Sequence, residues 1–154
     1  MQALSPAIEV YPVQHLPILK AYADQLGLVS LINHYVPTER GVEAGTVVLA
    51  MVLDTLSGRS PLSRLEEFLA QQDTELLVGK AVPPQAFTDD TVGRVLDRLY
   101  DFGTTRLCTA CAVRAAMRFG LERRSVHFDT TSRSVWGAYQ FAETQDLPFQ
   151  LTYG

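Results

Sequence analysis

Asp129 is the residue whose type and surroundings most directly indicate a role in metal binding or catalysis. It lies in residues 126–131, where apolar and polar side chains alternate and β-branched residues are frequent, a pattern that predicts a β-strand. A carboxylate among apolar neighbours in a strand suits Mg²⁺ or Mn²⁺, hard cations that prefer oxygen ligands. The alternative is an aspartate that faces solvent from an edge strand and discourages aggregation.

Arginines are the second group of chemically interesting residues. The chain of 154 residues has a formal charge of −4, but residues 1–93 carry −6 and residues 94–154 carry +2, with eight arginines and no lysine in the second part. Arginine binds phosphate with a planar fork of donors. Residues 102–124 contain a single acidic residue, Glu122. The predicted DNA-binding residues are the five arginines of this segment: Arg106, Arg114, Arg118, Arg123 and Arg124.

Two other groupings have ordinary structural explanations. Asp97 and Asp101 lie within reach of Arg94 and Arg98 on a predicted helix, and such pairing would weaken those arginines as a DNA-binding patch. Cys108 and Cys111 form a C-x-x-C inside a predicted helix rather than at a strand-to-helix turn, which favours buried small thiols over redox or metal chemistry.

The elements that must position these residues are mostly helical. Hydrophobic residues make up 47% of the chain, which is enough for a core. No apolar run approaches the roughly 20 residues needed to cross a membrane, so we expect a cytoplasmic protein. The spacing of apolar residues, with Gly and Pro at the boundaries, predicts helices over 15–26, 28–35, 46–57, 61–70, 88–102 and 104–119. A further helical turn is predicted at 74–79.

The helix at 104–119 is predicted to be amphipathic. Cys108, Cys111, Ala112, Ala115 and Phe119 fall on one arc, while Arg106, Arg114 and Arg118 fall on another, which predicts a basic outer face. The short Gly-containing connection to the preceding helix fits a helix-turn-helix, but also an antiparallel pair in a plain bundle, which is favoured.

The spacing of apolar residues changes at Ser125 from a helical period to alternation. This alternation in 126–131 and 149–153 predicts a β-hairpin. The sequence therefore predicts an irregular segment at 1–13, a mainly α domain at 14–122 that forms a helical bundle, and the hairpin within 123–154. A lone hairpin is only marginally stable in water. We expect it to pack on the helices, pair with another chain or begin a larger domain.

Several segments resemble bacterial insertion-sequence transposases. Residues 44–70 and 88–99 are similar to parts of the helical N-terminal region of that family. The run His127-Phe128-Asp129-Thr130-Thr131-Ser132, followed by Val135-Trp136-Gly137, looks like the first strand of its RNase H-like α/β catalytic domain, and residues 151–154 resemble the second strand.

The resemblance implies DNA cleavage and strand transfer at transposon ends. It makes Asp129 the first acid of the DDE triad and a ligand of Mg²⁺ or Mn²⁺. The second and third acids of the family lie far downstream, and only 25 residues follow Asp129 here. The sequence is therefore interpreted as a truncated transposase that is inactive alone.

Two alternatives remain open at this point. The chain is either a non-catalytic DNA-binding product that blocks transposon ends or joins a full-length transposase subunit, or a decayed remnant that serves as an interaction module. The unpaired edges of the hairpin also predict self-association. DNA binding would place the protein at the bacterial nucleoid.

Overall fold

Helix-terminating residues divide the described part of the chain into seven α-helices. The computed structural model describes residues 10–58 and 60–121. Single 3-10 turns at Leu62–Arg64 and Pro84–Ala86 precede the fourth and sixth helices. The helices are α1 (Leu16–Leu26), α2 (Leu28–Tyr35), α3 (Ala44–Ser57), α4 (Leu65–Ala70), α5 (Thr74–Val78), α6 (Asp89–Phe102) and α7 (Thr104–Phe119).

The prediction of a mainly α protein is thus confirmed for this part of the chain. Residues 10–58 and 60–121 contain no strand, and the hairpin predicted within 123–154 lies outside the described residues. The chain divides into two units at residues 1–122 and 123–154, and the described residues belong to the first. None of the described helices is long and apolar enough to cross a membrane.

Local signals account for the helix ends. The Thr88 side chain accepts a hydrogen bond from the Thr91 N–H at 3.2 Å and caps the start of α6, as the sequence predicts. Gly27 ends α1 with a φ of 65°, a left-handed conformation that glycine adopts without the steric cost of a Cβ atom. α2 then begins at the next residue.

Helix α3 forms the centre of the described fold. It contacts α1, α2, α4, α5 and α6, and the prediction that this apolar helix is central is therefore confirmed. Two clusters of buried apolar residues share it: Val47 and Ala50 belong to one, Leu49 and Leu53 to the other. Leu56, the last apolar residue of the helix, is exposed.

The N-terminal end of α3 lies unusually close to α2. Gly45 is buried, and a Cβ atom added there would lie 2.3 Å from the backbone oxygen of Val29. The Asn33 side chain of α2 accepts a hydrogen bond from the Gly45 N–H at 2.7 Å. Since only glycine leaves room for this approach, Gly45 sets the distance between the two helices.

Hydrogen bonds also fix the loop that joins α2 to α3. The Thr38 hydroxyl accepts from the Ala44 N–H at 3.0 Å and so satisfies a free donor of the helix start. The Glu43 carboxylate accepts from the Asn33 amide at 2.8 Å and pairs with Lys80 at 2.5 Å. The hydrogen bond from Lys80 lowers the pKa of the Glu43 carboxyl below its ordinary value. Both ends of the loop are therefore held in place.

Candidate nucleic-acid interface

Three of the six residues predicted for chemistry or DNA binding can be placed in the structure. Arg106, Arg114 and Arg118 lie on α7 and are exposed. Arg123, Arg124 and Asp129 lie outside the described residues.

Two of the α7 arginines reach the end of helix α1. Arg118 Nε donates to the backbone oxygen of Gln25 at 3.1 Å. The Arg114 guanidinium lies beside Gly27, where Nη2 would be 3.1 Å from an added Cβ atom. Backbone oxygens at a helix C-terminus carry partial negative charge and attract cations. Arg114 and Arg118 therefore help to hold α7 against α1.

This placement corrects part of the predicted orientation of α7. The three arginines are exposed and Cys111 and Ala115 are half-buried, as predicted, but Arg114 and Arg118 also lie at the end of α1. Leu107, Cys111, Arg114 and Arg118 recur at spacings of four, three and four, so they share the side of α7 that faces its neighbours. Leu107 packs against the core, whereas Cys108 and Ala112, which were predicted to face inward, are exposed. Small residues occupy both sides of α7, and the periodicity therefore does not identify the packed side. Whether these arginines contact DNA stays a prediction.

The two cysteines have different environments. Cys108 is exposed, which contradicts the prediction that both thiols are buried, and Cys111 is half-buried. Burial raises the pKa of the Cys111 thiol; the nearby Cys108 thiol also raises this pKa, while Arg114 lowers it. A thiol reacts as its thiolate, so a raised pKa slows its reaction.

We expect Cys108 to react with a thiol reagent faster than Cys111. At pH 8, Cys108→Ser should remove the fast phase of DTNB labelling and leave a reaction about 10-fold slower, because Cys111 is less accessible and burial raises the pKa of its thiol. Cys111→Ser is the matched control and should keep the fast phase. Equal rates for the two variants would contradict the orientation of α7 described above.

A basic cleft lies between the α2–α3 loop and helix α6. Its volume is about 580 Å³. Arg40 enters from the loop, and Arg94 and Arg98 enter from successive turns of α6. Glu39 contributes the only carboxylate among the described residues that line it. The remaining lining residues are Pro37, Gly41, Val42 and Thr91. We call this site the arginine cleft.

Arg98 donates hydrogen bonds to both sides of the arginine cleft. Its Nη1 donates to the Thr38 hydroxyl at 3.3 Å, and its Nε donates to the backbone oxygen of Arg94 at 3.3 Å. Thr38 is the residue that also accepts from the start of α3. The guanidinium of Arg98 is thus fixed relative to both the loop and α6.

The charges in the cleft are only partly neutralised. Arg94 pairs with Asp90 at 2.6 Å. Within residues 10–58 and 60–121, no ion pair joins Arg98 to Asp97 or Asp101, and Arg40 has no hydrogen bond or ion pair. The pairing that the sequence suggested for Arg98 is therefore not found there. Two guanidinium groups remain available to an anion.

Guanidinium groups that line one cleft suit a phosphate. Arginine presents several N–H donors in one plane and forms strong, charge-assisted bonds to phosphate oxygens. Arg40 was not identified from the sequence as a site residue, because Arg40 and Arg98 lie far apart in the chain. The only local signal was its position in a polar, glycine-containing loop before the central helix.

The described residues do not form a metal centre. Within residues 10–58 and 60–121, no three His, Cys, Asp or Glu side chains come together as metal ligands. The expected Mg²⁺ ligand, Asp129, lies outside this region.

The fold and the cleft together define a helical domain with an arginine-lined cleft. A family of domains of unknown function, DUF4277, matches residues 8–113, which is more than half of the chain. The chain therefore belongs to the DUF4277 family. The matched segment includes Arg40, Arg94 and Arg98 and ends within α7 before Arg114. No curated protein and no solved structure matches the chain.

Proposed function

We propose that the helical domain binds the phosphate backbone of DNA through the arginine cleft, as the N-terminal domain of an insertion-sequence transposase. The observation that carries this proposal is the meeting of Arg40, Arg94 and Arg98 at one cleft. Two of these guanidinium groups lack a carboxylate partner among the described residues. With an overall charge of −4, binding depends on this local patch rather than on the whole surface.

The sequence resemblance supports DNA as the source of the phosphate. Residues 88–99 are similar to a segment of the transposase N-terminal region, and Arg94 and Arg98 lie in that segment. Phosphate contacts of this kind position a protein on DNA without reading its sequence. The cleft would therefore supply affinity for transposon ends, and any sequence preference would come from other residues.

The remaining residues extend the proposal to the catalytic domain. We assign residues 123–154 to the first β-hairpin of an RNase H-like domain, with Asp129 as the first acid of the triad. Two-metal strand transfer needs several carboxylates around two ions. Asp129 would supply one of these carboxylates, and the proposed role of the helical domain is to bind transposon ends, alone or together with another transposase subunit.

The proposal is tested by titrating a fluorescein-labelled 30-base-pair duplex DNA with the 154-residue protein at different KCl concentrations. Two or three phosphate contacts predict that the affinity falls roughly 10- to 40-fold between 50 and 200 mM salt, because each contact releases a condensed counterion. Fluorescence anisotropy measures the dissociation constant. Absence of binding at 50 mM KCl, or an affinity that does not change with salt, would refute the proposal.

A further inference from the structure

Aromatic side chains continue the line of the arginine cleft along helix α6. Arg94, Arg98 and Phe102 are spaced four residues apart, so they follow one side of the helix at steps of about 6 Å. Phe102 is the last residue of α6, and Arg106 follows in the first turn of α7. The Arg106 guanidinium lies 5.0 Å from the centre of the Phe102 ring.

Tyr35 brings a second element to the same place. Its ring centre lies 5.1 Å from that of Phe102, with an angle of 31° between the ring planes, and 4.9 Å from that of His34. Tyr35 is 37% exposed although it packs against Phe102. We call His34, Tyr35, Phe102 and Arg106 the aromatic platform.

The aromatic platform adjoins the arginine cleft through two connections. Tyr35 ends α2, and Pro37, two residues later, lines the cleft. On the other side, Arg98 lines the cleft one helical turn before Phe102. Arginines and aromatic rings are therefore neighbours along α6, and the cleft and the platform are neighbours at the end of α2. This combination is characteristic of proteins that bind single-stranded nucleic acid, where phosphates follow a basic groove and bases stack on aromatic side chains.

We infer that the arginine cleft and the aromatic platform together bind single-stranded DNA, with phosphates at Arg40 and Arg98 and a base stacked on Tyr35. This inference rests on the proposed function and specifies its ligand. Bases of a duplex are stacked on each other and do not offer a free face to Tyr35, whereas unpaired bases do.

The test compares a single-stranded thymidine 12-mer with a 12-base-pair duplex in 50 mM KCl, by fluorescence anisotropy. The wild-type chain should bind the single strand at least about 10-fold more tightly. Tyr35→Ala should weaken that binding by about 10-fold, the loss of one stacked base, and should leave the salt dependence unchanged because no charge is removed. Tyr35→Phe keeps the ring and should bind like the wild type.

Tyr22→Ala is the matched control. Tyr22 is also an exposed tyrosine with a ring contact, to Phe119 at 6.2 Å, but it lies on α1 and does not line the arginine cleft. Its replacement should leave the affinity unchanged. Tyr35→Leu keeps apolar volume against Phe102 and replaces Tyr35→Ala if circular dichroism shows that the alanine variant is unfolded.

The outcomes separate this inference from the proposed function. Equal, salt-dependent binding of both DNA forms, unaffected by Tyr35→Ala and Tyr35→Leu, would overturn the single-strand inference and leave phosphate binding in place. Binding of neither form would overturn both.

Discussion

Replacement of both Arg40 and Arg98 by glutamate is expected to abolish DNA binding, with at least a roughly 100-fold loss of affinity in 50 mM KCl. The double variant removes two phosphate contacts and places two negative charges in the arginine cleft, where they repel the DNA backbone. The loss should shrink at higher salt, since wild-type binding also weakens there. Anisotropy with the labelled 30-base-pair duplex measures this effect.

Single variants provide the matched comparison for this prediction. Arg40→Glu changes an exposed loop residue without a hydrogen bond or ion pair in the described part of the chain, so its effect reports on binding rather than on folding. Arg64→Glu makes the same charge change at another exposed position, where the arginine only pairs with Glu67 at 3.9 Å. Arg40→Glu should weaken binding about 10-fold, and Arg64→Glu should change it less than about 2-fold.

Variants of the α7 arginines test the alternative, that the DNA interface lies on α7. Arg118→Glu would break the bond to the Gln25 backbone oxygen and place a negative charge at the C-terminus of α1, so we expect it to lower stability. If Arg114→Glu and Arg118→Glu abolish DNA binding in variants that circular dichroism shows to be folded, while Arg40→Glu and Arg98→Glu do not, the interface lies on α7, as the sequence alone predicted, and not in the arginine cleft.

Gly45→Ala is expected to lower the free energy of unfolding by about 3 kcal/mol. The added methyl group would lie 2.3 Å from the Val29 backbone oxygen and 2.8 Å from the Val29 Cα atom. These are backbone atoms of a packed helix, and α2 and α3 must therefore separate to accept the methyl group. Overpacking of a well-packed core typically costs 1–3 kcal/mol, and contact with backbone atoms puts this variant near the upper end. Urea denaturation followed by circular dichroism measures the change.

Gly93→Ala is the control for the Gly45 variant. Gly93 also lies inside a helix, α6, but apart from the backbone of its own helix and its chain neighbours no described atom lies within 4 Å of a Cβ atom built there. Alanine should therefore stabilise the protein by about 0.5–1 kcal/mol, because glycine loses more backbone freedom on folding. A Gly45→Ala variant as stable as the wild type would mean that α2 and α3 do not approach each other this closely.

The α2–α3 contact also bears on the arginine cleft. The loop that carries Arg40 begins where α2 ends and is held at its other end by Thr38, Asn33 and Glu43. Separation of the two helices would move both ends of this loop. A folded fraction of Gly45→Ala should consequently bind DNA more weakly than the wild type.

The positions of the helices were largely readable from the sequence. Gly27, Thr88 and Gly103 act on residues within one helical turn, and the predicted ends of α1, α2, α6 and α7 agree with the structure to within a residue or so. α3 begins at Ala44 rather than at residue 46, because Thr38 and Asn33, outside the helix, satisfy the free N–H groups of its first turn.

The sequence by itself determined which segments are helical and that α3 is central, since capping, glycine conformation and apolar spacing act over a few residues. Only the tertiary structure decided which side of α7 packs and which arginines meet. Arg114 and Arg118 face α1 because the packed side of a helix depends on its neighbours' surfaces. Arg40 and Arg98 meet because the α2–α3 loop folds onto α6, a contact between residues distant in the chain that no local pattern encodes.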